Sequence, residues 1–482
     1  MQQYILRKIY SFKYILPIFL IILFHMAFAE ETLNLQMKNF VLVKPSKSTP
    51  SCILSLSTID NRDIYNNLCQ TVHVYRSSPT HDSSFDIFHV FKEALSKVLF
   101  YYYPLAGKLV ESADDGKRKV HCNPNAKNYG VPFLEATANC TLSSLHYLDN
   151  TDLEIAKYLV FDPQDKSYPL VFKVTRFLCG GFTIGMGVLH AVCDGFGASQ
   201  FLKSIVELSR GRTEPSGIPV WERERLVGSI TKQPFPKSPM NNIAFSPFID
   251  ETSNIVIKKY CFKVEGEMIR NLKLSLMKEN ENLGFTTFES LAGFVWRSRA
   301  RALKLNNNGE TMLSLLVGMR RNLKDFEPLP KGYYGNSCVD ANLVMKVNEL
   351  NERPLHEIVK LIKETKNVAS TSEYVKNSID SWENHKENLK MKSGGAVTVL
   401  TEWRHLGFLS ESVELGGNEV VNVVPAPCNL FASLDMSIFT SSNKIDDEND
   451  PLMKGGVNLF TSLPVDAMPR FKEEIESLRF IS

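Results

Sequence analysis

Apolar residues along this chain recur at two spacings, and their alternation organises everything from about residue 33 onward. Between Phe85 and Tyr103, Phe88, Val90, Phe91, Ala94, Leu95, Val98 and Leu99 fall at helical spacing, and Pro104 stops the run before Leu105-Ala106-Gly107-Lys108. The pattern predicts a core helix ending in a turn. From Leu170 to Leu178 the pattern becomes that of a strand. Gly180-Gly181 supplies the positive-φ residues of a tight hairpin, and 182–190 return as its partner. Period-two alternation puts Phe182, Ile184, Met186, Val188 and His190 on one face and Thr183, Gly185, Gly187 and Leu189 on the other. His190 thus ends a buried strand. Asp194, Gly195 and Gly197 break it, and Phe201, Leu202, Ile205 and Leu208 resume at helical spacing, so the unit reads strand, glycine-rich turn, helix.

From Gly211 to about Ile257 periodicity fades, and prolines at 215, 219, 234, 236, 239 and 247 predict an extended crossover between two domains. Thr286 to Leu303 reads as a helix with Phe288, Leu291, Val295 and Trp296 on one side and arginines behind. Near the end, Gly455-Gly456 opens a strand, Val457 to Phe460, and Met468, Phe471, Ile475 and Leu478 mark a final amphipathic helix. Thr440 to Pro451 reads as a solvated acidic loop. Strand-like and helix-like segments alternate without repeats, which predicts mixed α/β layers.

Composition adds bounds. A chain of 482 residues exceeds the size at which one core keeps growing, and 44% hydrophobic against 22% charged residues with a net charge of +2 describes an ordinary globular protein. That charge gives no footprint for nucleic acid. Nine cysteines, at 52, 69, 122, 140, 179, 193, 261, 338 and 428, include no C-x-x-C pair. Their scatter fits reduced, mostly buried thiols rather than a disulfide framework or a zinc site. The N-terminus points elsewhere: Lys8 and Lys13 precede an apolar run from Ile15 to Phe24, and Ala27-Phe28-Ala29 stands before Glu30. Residues 1–29 therefore read as a signal peptide leading into the endoplasmic reticulum, where the sequon Asn139-Cys140-Thr141 would matter. The competing reading is an upstream extension, with a second start at Met37 and a cytoplasmic protein.

His190-Ala191-Val192-Cys193-Asp194 is an H-x-x-x-D pentapeptide, which a chain with ten histidines shows by chance roughly half the time. A strand-end histidine satisfied in the core is the bland alternative, and no third ligand stands at metal-binding spacing. G-x-S-x-G, G-x-G-x-x-G and G-x-x-x-x-G-K-[ST] are absent.

The wider series carries more weight. It runs Tyr103-Pro104-Leu105-Ala106-Gly107-Lys108, the histidine pentapeptide, Trp296-Arg297, Gly332-Tyr333-Tyr334-Gly335-Asn336, Thr401-Glu402-Trp403-Arg404 and Ser462-Leu463-Pro464. In that order the chain resembles the plant BAHD acyltransferases from residue 33 to its C-terminus. Between Cys193 and Arg223, with Arg210-Gly211 and Pro219-Val220-Trp221, it is similar to the branch acting on taxanes and small terpenoid or aromatic alcohols. The resemblance implies an α/β fold of two chloramphenicol-acetyltransferase-like domains, each of mixed sheets and helices, joined by a long crossover loop. A channel between them would carry the motif histidine midway. The implied division is 33–225, completed by a segment near 395–425, then the crossover 226–257, then 258–482. The implied protein is a monomer without permanent cofactor, metal or stable protein partner. Acyl-CoA is its co-substrate, and the acceptor of a group such as acetyl or benzoyl is a small alcohol or amine of specialised metabolism.

By the same resemblance Asp194 shapes the loop rather than reacting, with Arg301 as its partner. Independently, a histidine of ordinary pKa near 6.5 suits removal of an alcohol proton during attack on a thioester. Trp403 Nε1 or the Thr401 hydroxyl suits the oxyanion, although Trp403 also reads as a core aromatic. One element departs from the family: where its members carry D-F-G-W-G, this chain has Glu414-Leu415-Gly416-Gly417-Asn418, ahead of Val423-Val424-Pro425-Ala426-Pro427. Glu414 keeps the charge on the cofactor side, and the aromatic missing at Gly417 is expected to open space near the cofactor channel. Drift away from catalysis, toward a metabolite-binding member of the family, is the rival expectation.

Overall fold

Two six-stranded mixed sheets and a small three-stranded sheet collect the strand-forming runs of the chain. The computed structural model describes residues 33–78, 85–149, 153–230, 240–249, 255–278, 284–320, 326–384, 394–426 and 435–481. The signal peptide expected in 1–29, Pro427 and Cys428 lie outside them, whereas Met37, the alternative start, lies within β1. In chain order the first half runs β1 (Leu35–Val43), β2 (Cys52–Ser55), β3 (Leu68–Arg76), α1 (Ile87–Tyr101), β4 (Lys108–Glu111), β5 (Arg118–Cys122), β6 (Val131–Ala138), β7 (Leu170–Phe177), β8 (Phe182–Leu189) and α2 (Gly195–Ser209). The second half runs β9 (Ile257–Val264), α3 (Gly266–Lys278), α4 (Thr287–Ala302), β10 (Glu310–Gly318), β11 (Cys338–Lys346), α5 (Val347–Glu352), α6 (Leu355–Ala369) and α7 (Ser372–Asn384). It continues with β12 (Val397–Glu402), β13 (Glu419–Pro425), β14 (Met436–Ser441), α8 (Lys444–Asn449), β15 (Val457–Pro464) and α9 (Met468–Glu476).

The first sheet has the order β1-β6-β7-β8-β3-β13 and the second β11-β10-β12-β14-β15-β9, while β2-β5-β4 form the third. Of the segment 395–425, β12 stays in the second sheet, parallel to both β10 and β14, and only β13 joins the first, antiparallel to β3. The apolar clusters follow this exchange: Leu406, Phe408, Val413, Leu415, Val420 and Val423 pack with the core of the first half.

Local physics explains the elements around the site. Helix α1 starts where the Asp86 carboxylate accepts the Phe88 amide, and it buries Phe88, Phe91, Ala94, Leu95, Val98 and Leu99. The β7–β8 hairpin pairs Leu170 with Val188 and Arg176 with Phe182. Only Gly180 takes a positive φ, +80°, so the turn needs one left-handed glycine and not the expected two. At Gly181 a Cβ would instead meet the Tyr75 carbonyl oxygen at 2.8 Å. Helix α4 opens with a reciprocal cap between Thr286 and Glu289, and its Trp296 is fully buried, donating from Nε1 to Thr311 Oγ1 at 3.1 Å.

Two expectations change. The acidic stretch from Thr440 is not simply a loop: its first residues end β14, and α8 follows, capped by Asn443 Oδ1 on the Asp446 amide (2.7 Å) and tied by Lys263 to Asp149 and Asp446. The cysteines are free thiols at every described position; Cys122, Cys193 and Cys261 are buried, Cys52, Cys69, Cys140 and Cys338 half-buried, and Cys179 exposed.

Candidate active site

Strand β8 stops at Leu189, one residue before the sequence pattern places its end, and His190 begins a short 3-10 turn, His190–Val192. The backbone at this point is pinned from both sides. The His190 amide donates to the Asn67 carbonyl (2.9 Å), and the His190 carbonyl accepts from Asn336 Nδ2 (2.7 Å). Asn336 is in turn held by Asp60, whose Oδ1 accepts from both its amide (3.0 Å) and Nδ2 (2.7 Å). Arg223, 1% exposed, lies 3.4 Å from Asp60 and donates to the Val192 carbonyl at 2.8 Å. A run of buried polar groups thus fixes the turn, which suits a residue whose position matters.

Asp194 faces away from the imidazole. Its carboxylate accepts from Arg320 Nη1 (2.7 Å) and Nη2 (2.9 Å), from the Gly197 amide (2.9 Å) and from Ser337 Oγ (3.2 Å). It therefore caps α2 and joins the two halves of the chain at once. The close fit extends to Gly197, where a Cβ would meet the Tyr334 carbonyl oxygen at 2.0 Å. The arginine expected here, Arg301, is elsewhere: it bonds Asn351 and Glu474 on another face of α4. The correction is one of placement: Arg301 lies near the end of α4, where Asn351 and Glu474 of α9 engage it, whereas Arg320 follows β10 directly into the cavity wall.

His190 opens onto a cavity of about 220 Å³ walled by both halves of the chain. Tyr65, Met186 and Asp194 come from the first half. Arg320, Cys338, Thr401, Trp403 and Phe408 come from the second. Among the described residues the buried His190 Nδ1 atom has no hydrogen-bond partner in good geometry, which leaves Nε2 as the nitrogen toward the open space. Burial pushes the imidazole below its ordinary pKa, against the opposite pull of its own carbonyl, Asp194, Asn336 and Asp60. The ring is accordingly neutral at pH 7 and able to accept a proton. Trp403, tethered by its amide to the Phe439 carbonyl (2.8 Å) and edge-on to Phe408, brings an indole to the same cavity as the Thr401 hydroxyl.

His190, Asp194, Thr401 and Trp403 therefore meet in one place, while Arg301 and Glu414 do not. Glu414 sits behind the wall, its carbonyl accepting from Arg210 Nη2 (2.7 Å) and its carboxylate 3.8 Å from Lys444. Gly416 and Gly417, at φ +58° and +76°, form a two-residue turn closed by reciprocal hydrogen bonds between Leu415 and Asn418. Among the described residues a Cβ on Gly417 would touch nothing within 4 Å, and neither glycine is on the cavity wall, so the missing aromatic does not stand beside the cavity as expected. Sequence reasoning did not find Arg320, Tyr65 or Asp60. Asn336 stood within a quoted motif, but nothing local in the sequence announces its contact with His190.

Known proteins share this architecture. The family described as the Transferase family matches residues 33–478. A spermidine coumaroyl-CoA acyltransferase of Arabidopsis thaliana is 37% identical, with 93% of this chain and 96% of that protein covered. A spermidine sinapoyl-CoA acyltransferase of the same plant is 38% identical over 91% and 96%. A taxadien-5-alpha-ol O-acetyltransferase of Taxus chinensis is 31% identical over 92% and 97%. Among solved structures, vinorine synthase superposes with a TM-score of 0.70 at 20% identity, covering 92% of this chain and 98% of its own. F. sporotrichioides TRI101, complexed with coenzyme A and T-2, gives 0.65 at 16% over 89% and 99%. These likenesses show the fold of two chloramphenicol-acetyltransferase-like halves.

Proposed function

Since the chain belongs to the Transferase family, the BAHD acyltransferases, and is an acyl-CoA-dependent acyltransferase, we propose that His190 is its general base and a polyamine its acceptor. The observation that carries the first part is the neutral, buried imidazole on the wall of a cavity shared by both halves. An acceptor nitrogen attacks the thioester carbonyl, and His190 Nε2 takes its proton. The oxyanion of the tetrahedral intermediate accepts a hydrogen bond from Trp403 Nε1 or the Thr401 hydroxyl. On collapse the carbon–sulfur bond breaks, and the coenzyme A thiolate leaves with the proton returned by the imidazolium.

Two relatives named for spermidine, at 37% and 38% identity against 31% for the taxadienol acetyltransferase, favour an amine over an alcohol. The cavity wall fits a cationic chain. Glu402 and Asp340 both line it, each already bonded to one arginine, Arg404 and Arg62, and each carboxylate retains 18% side-chain exposure. Non-reacting ammonium groups find acceptors there, while the attacking nitrogen must be unprotonated.

Release of free coenzyme A thiol from a panel of hydroxycinnamoyl-, benzoyl- and acetyl-CoA, with spermidine or a set of alcohols, tests both parts. Turnover with spermidine and a loss of about 10²–10⁴-fold in His190→Ala are expected. Selective turnover of alcohols would overturn the acceptor, and full activity in His190→Ala would overturn the base. Because burial lowers the His190 pKa, the neutral base persists below pH 6.5, so kcat/KM expressed against the unprotonated acceptor should fall only on the acid side of that value.

A further inference from the structure

His190 is held firmly by its backbone, but among the described residues its buried Nδ1 meets no hydrogen-bond partner in good geometry, with only its own carbonyl and the Asn336 side chain close by. What does fix the ring plane is a face. The Tyr65 ring lies parallel to the imidazole, with centroids 4.3 Å apart and an interplanar angle of 10°. We infer that Tyr65 is a positioning residue for acyl transfer, its ring holding the plane of His190 and favouring the imidazolium formed when the base takes its proton. The inference rests on His190 as the base.

Tyr65 is built to serve as such a plate. It is 2% exposed and closes the 3-10 turn Asp63–Tyr65, so its rotamer is fixed by packing. Its hydroxyl lies 3.6 Å from Cys338 Sγ. Behind it, the Arg62 guanidinium sits 5.5 Å from the Tyr65 ring and 4.0 Å from the Trp382 ring, and it grips Asp340 with two hydrogen bonds of 3.3 and 2.6 Å. A tyrosine face is electron-rich, so its attraction for the imidazole grows when that ring becomes a cation, the state that arises only during reaction. The other charged groups around His190 are already engaged: Asp194 by Arg320, and Asp60 by Arg223 and Asn336. Cys193 and Cys338 are held as neutral thiols, because burial pushes both well up. The Tyr65 face is therefore the contact most directly placed to respond to protonation of the ring.

The test compares Tyr65→Phe, Tyr65→Leu and His190→Ala in the full chain, measuring kcat, the KM for acyl-CoA and the pH dependence of kcat/KM expressed against the unprotonated acceptor. Tyr65→Phe, which keeps the face, is expected within about threefold of the parent kcat. Tyr65→Leu should lose about 10- to 100-fold in kcat with KM within about twofold, and its acid limb should move to lower pH because the imidazolium has lost its partner. Equal losses in both variants, or an acid limb moving to higher pH in Tyr65→Leu, would show that the ring only fills space or excludes water, and would overturn the inference. An inactive His190→Ala beside a normal Tyr65→Leu defeats this inference alone, whereas an active His190→Ala defeats the base assignment and this inference with it. Should Tyr65→Leu not fold, a Tyr65→Phe chain carrying a pentafluorinated ring keeps the shape and reverses the charge distribution of the face. A kcat equal to that of plain Tyr65→Phe then overturns the proposal.

Discussion

Asp194 accepts four hydrogen bonds while only 8% exposed, two of them from Arg320 and one from the first turn of the helix it caps. Breaking a buried pair from one side leaves the other charge uncompensated, which costs about 3–5 kcal/mol, and less here because the Arg320 side chain keeps 26% exposure. Asp194→Asn and Arg320→Gln are each expected to lower unfolding stability by about 2–4 kcal/mol. Since both remove the same interaction, the double variant should lose little more than the worse single one. Denaturant unfolding of the four proteins checks this, and additive losses would show that the two residues act separately. The pentapeptide made Asp194 legible in the sequence, but its partner was not. Arg320 stands 126 positions away at the end of a strand, and no periodicity links the two. The arginines of α4 were conspicuous only because a helix collects them.

The turn at Gly416-Gly417 shows how a short element sets its own composition. Both glycines are left-handed, yet they differ in crowding: a Cβ at Gly416 would come within 2.0 Å of the Phe85 ring, while one at Gly417 would meet none of the described residues within 4 Å. Gly417→Ala should therefore cost about 1–2 kcal/mol, the ordinary penalty of a left-handed residue, and Gly416→Ala distinctly more. Thermal melts of the two variants decide it, and equal shifts would place the Phe85 ring elsewhere. The same backbone argues against restoring the family's tryptophan at Gly417, where the left-handed φ would strain it. Longer elements were easier to read. Helices α1, α4 and α9 and the β7–β8 hairpin announce themselves because their apolar spacing, the caps of α1 and α4 and the hairpin's turn residue are all local. Helix α8 is six residues long, too short for a period to show, and is held by Lys263 from a distant strand.

At the scale of the molecule, the site exists only where the halves meet, since His190 comes from one and Thr401, Trp403 and Arg320 from the other. The alternation of elements predicted mixed α/β layers and the chain length more than one domain, but strand exchange is a property of pairing, which one strand's pattern does not encode. A fragment of residues 33–230 lacks β13 and leaves β3 as an open edge. Expressed alone, it should aggregate or oligomerise, and co-expression with 240–481 should return a soluble pair by size-exclusion chromatography. A soluble monomer of 33–230 would show that β13 is dispensable. The exchanged strand also bears on how the protein is made. Residues of β8 leave the ribosome about 230 positions before β13 does. At the usual 5–20 residues per second, a nearly finished sheet waits roughly 10–50 s for its last strand. During that interval the nascent chain carries a bare edge toward its neighbours on the polysome. An unpaired edge held open that long is a template for pairing with other chains, a hazard of synthesis that the finished surface, with β13 in place, does not reveal.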